Sequence, residues 1–335
     1  MKTQNSKQLI YLLSFFIILI FGLYVSGCSD NSSVNNPTQS VTNDNDYLKS
    51  VVSSGYDNNQ VNEDNLMSQV VNDLNTGPVN NDQAFPGLPI DSLKKWGRRI
   101  SNVNVNYSIT DYGDTMKAVN ITRTINGNYI IIGTKNGVTD SVNKPYTEVF
   151  FNNVKFKRIE RETNPRMNWR LYQISMLNGG TTQPQVGSSQ VMITKIELYQ
   201  DNFSMPRYTF NGPDFQNKNI FTTMKFGGTG IPQIDREDSV YIKVYTTSQL
   251  APVDIVAWHW PLNTFGFHRV QFDLLSQTGG GPYERVYAKS IKVFHLHRLG
   301  SFNGDISAST HESLWDDDIN KFASSEVGFP YRVTR

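Results

Sequence analysis

Thiols are nearly missing from this chain: Cys28 is the one cysteine in 335 residues. A single sulfhydryl closes no intrachain disulfide and builds no thiolate metal cluster. Charge excess is missing too, with 31 basic and 30 acidic side chains. Residues 91–335 hold 28 bases against 22 acids, a net of +6 spread over about 245 positions. That is no nucleic-acid-binding stripe. No G-x-S-x-G elbow, phosphate loop or dinucleotide fingerprint occurs, so the commonest catalytic classes lack their local signatures. Long helical periodicity is also missing from the first half of the body, residues 101–200.

What is present begins at the N-terminus. Met1, Lys2 and Lys7 precede the apolar run LIYLLSFFIILIFGLYV, Leu9 to Val25, broken only by Ser14 and Gly22. A basic start, a short apolar core and small residues at its end are the layout of an export signal. At ~1.5 Å per residue the run reaches roughly 26 Å, marginal against a ~30 Å hydrocarbon core, so an uncleaved membrane helix is the rival. Val25-Ser26-Gly27-Cys28 decides between them, because it resembles the lipobox of bacterial lipoproteins. That resemblance implies a diacylglycerol on the Cys28 thiol, removal of residues 1–27 as a signal peptide, and a membrane anchor. With lipid on Cys28 the mature chain has no free thiol, which excludes cysteine nucleophiles and thiolate ligands. Ser29 stands where the family's inner-membrane retention signal has Asp, which implies the outer membrane or cell surface of a bacterial envelope.

Residues 28–85 are expected to be a flexible tether, rich in Asn, Asp and Ser. Between 29 and 90 eight acids face Lys49 alone among the bases. Such a composition buries too little apolar surface to offset backbone ordering. A tether of ~57 residues would span about 40 Å root-mean-square. Within it Leu66, Val70 and Leu74 recur every four residues, a short amphipathic helix closed by Gly77-Pro78.

From residue 86 the texture turns to β. FPGLPIDSLKKWGRRI reads as one or two helical turns with Leu93 and Trp96 on one face. Val103, Val105, Tyr107 and Ile109 then alternate with polar residues, as a half-buried strand requires. Asn126-Gly127 between two β-rich runs predicts a hairpin, and NGGTTQPQ predicts a long loop. Tyr241, Lys243 and Tyr245 alternate with Val240, Ile242 and Val244, one face buried and one wet. STHESLWDDDINKFASS reads as a short helix or loop before a closing strand. The expected fold class is all-β: two antiparallel β-sandwich domains, 86–205 and 206–335, the boundary falling near 200–215. The second resembles an immunoglobulin-like sandwich with Trp258 in a central strand, though it lacks the inter-sheet cysteine pair.

Candidate chemistry is sparse. All five histidines lie after residue 258. His295 and His297 share one face of a strand, and with His259 or His268 they form a candidate zinc site of a metal-dependent hydrolase. The competing account is that they are satisfied strand or rim histidines. Trp258 and Trp260 share a face and are candidates for stacking on sugar rings, against the simpler expectation that they are core. Asp316-Asp317-Asp318 lacks the spacing of a calcium loop. Asp235, Glu237 and Asp238 read as a solvated loop. The leading expectation is a lipid-anchored envelope protein with a non-catalytic binding or structural role, and no cofactor beyond the lipid on Cys28. Its partners would be the membrane, and a glycan or another envelope protein. The alternatives are a carbohydrate-binding surface lipoprotein and the histidine-based hydrolase.

Overall fold

Period-two patterning dominates residues 92–334. The computed structural model, which describes residues 43–54, 89–200, 202–222, 230–259, 269–293 and 299–335, is an all-β fold of two sheets. Helix α1 (Asp44–Ser54) precedes three long strands, β1 (Ser92–Asp111), β2 (Met116–Lys135) and β3 (Val138–Arg158). Shorter strands follow: β4 (Trp169–Ser175), β5 (Leu177–Gln183), β6 (Val191–Tyr199), β7 (Tyr208–Asn211), β8 (Ile220–Thr222) and β9 (Gln233–Asp235). The remainder are β10 (Ser239–Ser248), β11 (Ile255–His259), β12 (Arg269–Gln271), β13 (Asp273–Thr278), β14 (Tyr283–Lys292), β15 (Gly300–Ser309) and β16 (Ser324–Thr334).

The larger sheet runs β1-β2-β3-β5-β16-β15-β11-β12, with β4, β8 and β9 attached at its flanks. The smaller runs β13-β14-β10-β6-β7. Described pairings are antiparallel, apart from β9 with β16 and two isolated bridges. The larger sheet curls until its ends meet. Arg269 on β12 donates from Nη1 to the Trp96 carbonyl on β1 (2.8 Å) and sets its guanidinium 3.4 Å from the Trp96 ring.

Alternation then sorts two interiors. On β11, β15 and β16, Val256, Trp258, Ile306, Val327 and Phe329 pack against Ile196, Leu198, Ile242 and Val244 of the smaller sheet. The opposite face of the same strands turns His259, Asp305, Ser307 and Glu326 into the curl, where they are buried beside the apolar group of Trp96, Tyr129, Phe150 and Phe322. Trp258 lies edge-on to Phe329, centroids 5.1 Å apart. Gly304 gives that indole its room, since a Cβ there would sit 2.7 Å from the ring.

Several expectations are corrected. Residues 92–100 are strand rather than helix. A bulge between Leu93 and Lys95 puts Leu93 and Trp96, three apart, on one buried face, imitating a helical spacing. Asn126-Gly127 is no turn; it lies inside β2, opposite a second bulge between Ile100 and Asn102. Gly127 serves close approach, because a Cβ would meet the Arg99 carbonyl at 2.6 Å and the Tyr146 hydroxyl at 2.8 Å. The hairpin turn is Asn136-Gly137, with φ of 52° and 78°. NGGTTQPQ is mostly β5, wedged between β3 and β16; Gly179 passes so near Val149 that a Cβ would be 2.2 Å from its carbonyl oxygen.

Part of the expected tether is helix. Asn43 caps α1 by accepting from the Asp46 amide (2.8 Å), with Asp44 and Asp46 in the first turn. Tyr47, Leu48, Val51 and Val52 fall at helical spacing and bury against Val119, Ile121, Phe156 and Trp169. Asp44 pairs with Arg158 at 2.9 Å. Eleven residues with a single apolar face vanish in an average taken over fifty-seven. The pattern at Leu66, Val70 and Leu74 lies outside the described residues. The expected split at residue 205 does not follow the sheets: each draws strands from both sides of it, and Val41–Arg335 forms one compact unit.

Gly127→Ala should therefore cost about 3 kcal/mol by overpacking. Gly137→Ala, in a turn with open space around it, should cost about 1 kcal/mol through backbone strain alone. Urea titration of both variants measures the difference, and equal losses would contradict the packing role of Gly127.

Candidate functional site

Cys28, Trp260, His268, His295 and His297 lie outside the described residues. Trp258 is 2% exposed, within the core between the sheets. His259 is buried on the opposite face of β11, its Nε2 2.8 Å from Ser307 Oγ. His311 stacks on Trp315 at 6.0 Å, and burial lowers its pKa. Among the described residues no group of three or more His, Cys, Asp or Glu side chains is placed to hold a metal ion.

The curl holds a buried ionic cluster that sequence reading missed. Arg98 on β1 reaches both carboxylate oxygens of Glu326 on β16 at 2.9 Å. Glu148 on β3 and Asp305 on β15 lie 3.9 Å from the same guanidinium. Burial opposes ionisation of Glu326, but Arg98, a hydrogen bond with Asp305 and nearby His259 together hold its pKa below the usual range. A second closed pair joins Arg285 to Asp254 at 2.6 Å, with the guanidinium also donating to the Leu250 and Ala251 carbonyls. These groups answer one another, and no substrate could reach them without opening the fold.

Lys144 is a further buried charge. Its Nζ donates to the carbonyls of Glu312 and Lys321, 2.8 Å each, clamping the 312–321 segment, whose first residues belong to the short helix His311–Trp315, onto β3. The acid run in that segment is taken up by the protein itself. Asp317 pairs with Lys135, Asp316 with Lys321, and Asp318 accepts from the Asn320 amide.

A further polar network lies on the smaller sheet. On its outer face Glu197 accepts from Tyr199 and Tyr245, 2.7 Å each, and from Lys195 at 2.9 Å. Burial opposes its ionisation, yet these three donors depress the Glu197 pKa, while burial and Glu197 raise those of both tyrosines. Lys195 lies 3.7 Å from the Tyr245 ring, and Lys243 5.0 Å from that of Tyr199. Each long side chain is thereby held in one position.

Beside this face the sandwich ends in a shallow, partly open groove between β6–β7 and the 232–240 segment. Its floor is the end of the inter-sheet core: Leu198, Pro232, Ile234 and Val240. Tyr208, opposite Leu198 in the β6–β7 ladder, forms a wall. Gln200, Arg207, Gln233, Asp235 and Asp238 line the rim. Asp235 and Asp238 are exposed, as a solvated loop would have them. Their position on a groove rim depends on Arg207 and Gln200, about thirty residues earlier, and no local signal links the two segments.

Comparison with known proteins gives no match to any family model, curated protein or solved structure.

The buried amine gives a pH test. Burial pushes Lys144 down from 10.5 to about 8, against the upward pull of Asp316, Asp318, Glu312 and Asp317. Between pH 8 and 10 the unfolded chain binds more protons at this lysine than the folded chain, so its contribution to stability rises with pH. The unfolding free energy of the native protein minus that of Lys144→Met should climb by up to about 1.4 kcal/mol per pH unit in that window. Chemical denaturation at pH 7, 8, 9 and 10 reads it. Parallel profiles would show the amine is not shifted.

Proposed function

We propose that this chain is a lipid-anchored protein of a bacterial envelope, held through Cys28, whose β-sandwich body binds or scaffolds rather than catalyses. The anchor rests on the sequence Val25-Ser26-Gly27-Cys28 after a basic, then apolar, N-terminus. The observation that carries the binding role is the division of polar groups. Arg98, Glu326, Arg285, Asp254 and Lys144 are satisfied inside the fold, whereas Arg207, Asp235 and Asp238 stand exposed around an apolar-floored groove beside Tyr208. Ser29 favours the outer membrane or cell surface over retention at the inner membrane.

The docked helix changes the geometry this reading implies. Because α1 starts at Asp44, fifteen residues separate the lipid from the body, a reach of at most about 50 Å at ~3.3–3.6 Å per residue. The body would then stay within one domain's length of the headgroups. The anchor would enter it beside the distal ends of β1, β2 and β3, where α1 packs.

Two experiments check this. Expressed in a bacterium fed radiolabelled palmitate, the chain should carry label and lose residues 1–27, and Cys28→Ser should do neither; label on the serine variant would contradict the anchor. Val51→Asp, which drives a carboxylate into the apolar seat of α1, should free the helix. Limited proteolysis would then cut within 43–54 while leaving residues 92–334 intact and folded, and an unchanged cleavage pattern would contradict the docking.

A further inference from the structure

We propose that the groove at the end of the sandwich binds one pyranose ring of a neutral glycan. This deepens the binding role proposed above and rests on it only for biological context, since the groove's chemistry does not depend on the anchor. The groove is a shallow, partly open cleft rather than an enclosed cavity, so it would meet one face or edge of a ligand and leave the rest in water. A floor of Leu198, Ile234 and Val240 under a polar rim suits a ligand with an apolar face and hydroxylated edges. A sugar ring is such a ligand: its axial C–H groups form one face and its hydroxyls project from the perimeter.

Hydrogen-bonding capacity points the same way. Arg207 only donates, the ionised carboxylates of Asp235 and Asp238 only accept, and the amides of Gln200 and Gln233 do both. A hydroxyl donates and accepts at once, so a polyol can satisfy all of them. A phosphate or carboxylate ligand would leave the two aspartates opposed by like charge, and an amine would confront Arg207. With one cation against two carboxylates the rim has no strong field of either sign, which selects a neutral ligand.

The rim is also partly pre-organised. Tyr208 is half-buried, its ring 6.3 Å from Phe210 and near-parallel to it, so one side is anchored in the core. The Arg207 guanidinium is 5.5 Å from the Tyr208 ring, and its Nη1 donates to Gln200 Oε1 at 2.8 Å. Asp235 is held by the Thr334 hydroxyl. These contacts order part of the rim before ligand arrives, which lowers the entropic cost of binding. The site differs from the tryptophan pair that sequence reading singled out, since Trp258 is core.

The test is calorimetric titration of the detergent-solubilised full chain with six neutral trisaccharides: those of β1,4- and α1,4-linked glucose, β1,4-linked N-acetylglucosamine, β1,3-linked glucose, β1,4-linked mannose and β1,4-linked xylose. At least one should bind with a Kd between about 10 μM and 1 mM, that is about −7 to −4 kcal/mol. Asp238→Asn and Tyr208→Ala should each weaken that binding tenfold or more, and Asp238→Asn should leave the melting temperature unchanged. Leu275→Ser, on the far edge of the smaller sheet, should bind like the native chain. Failure of all six sugars at 5 mM overturns the proposal. So does binding that survives both groove variants, or that is lost only on Trp260→Ala, or that appears only with acidic sugars or peptides. None of these outcomes touches the palmitate result, so loss of the glycan site and loss of the anchor are read separately.

Discussion

Arg98 and Glu326 stand 228 positions apart in the chain and share two 2.9 Å contacts inside the curled sheet. A buried ion pair adds little net free energy over apolar residues of similar volume, because desolvation offsets the attraction. Breaking one, however, costs about 3–5 kcal/mol, since the surviving charge is stranded. The pair therefore penalises every arrangement in which β1 and β16 do not meet. Glu148 and Asp305 extend the same penalty to β3 and β15. The Arg269 contact with Trp96 extends it to β12. Closure of the larger sheet follows from where this one guanidinium must go.

Once the sheet is curled, alternation does the rest. Strands β11, β15 and β16 have an apolar face and a polar face, and only one of these can be dry without partners. The apolar face meets the smaller sheet around Trp258 and Phe329, and the polar face meets Arg98. The long meander of β1, β2 and β3 runs past the closed region. Its distal apolar surface would be wet if α1 did not cover it. A helix recruited from the segment before the body thus completes a second core, and the chain enters the fold on that side.

The groove is a consequence of the same geometry. Two sheets that pack through Leu198, Ile234 and Val240 must end somewhere, and at that end the core reaches solvent with a polar rim around it. The neighbouring Glu197 network holds its tyrosines and lysines in place. Rigidity at this surface and closure of the charged interior divide the molecule into a part that folds it and a part that can meet a ligand.

Local pattern carried much of this. The alternation of β10 is observed as written, with Val240, Ile242 and Val244 buried and Tyr241, Lys243 and Tyr245 turned outward. The all-β class and the core position of Trp258 were legible for the same reason: each depends on residues within a few positions of one another. Glycine and short helices were misread. Asn126-Gly127 and Gly179-Gly180 have turn chemistry, yet their missing Cβ atoms answer neighbours brought in from other strands. Likewise Tyr47, Leu48, Val51 and Val52 become a helix face only because β2, β3 and β4 offer an apolar seat. The ionic cluster and the groove were invisible, since Arg98 and Glu326, or Arg207 and Asp235, become neighbours only through strand order. Sequence alone determined which residues prefer strand and which face of each strand is apolar, because those properties are set by nearest neighbours. Tertiary structure decided which strands meet, and hence every charge pair and every surface where a ligand could sit, because chain-distant groups interact only after the backbone has closed.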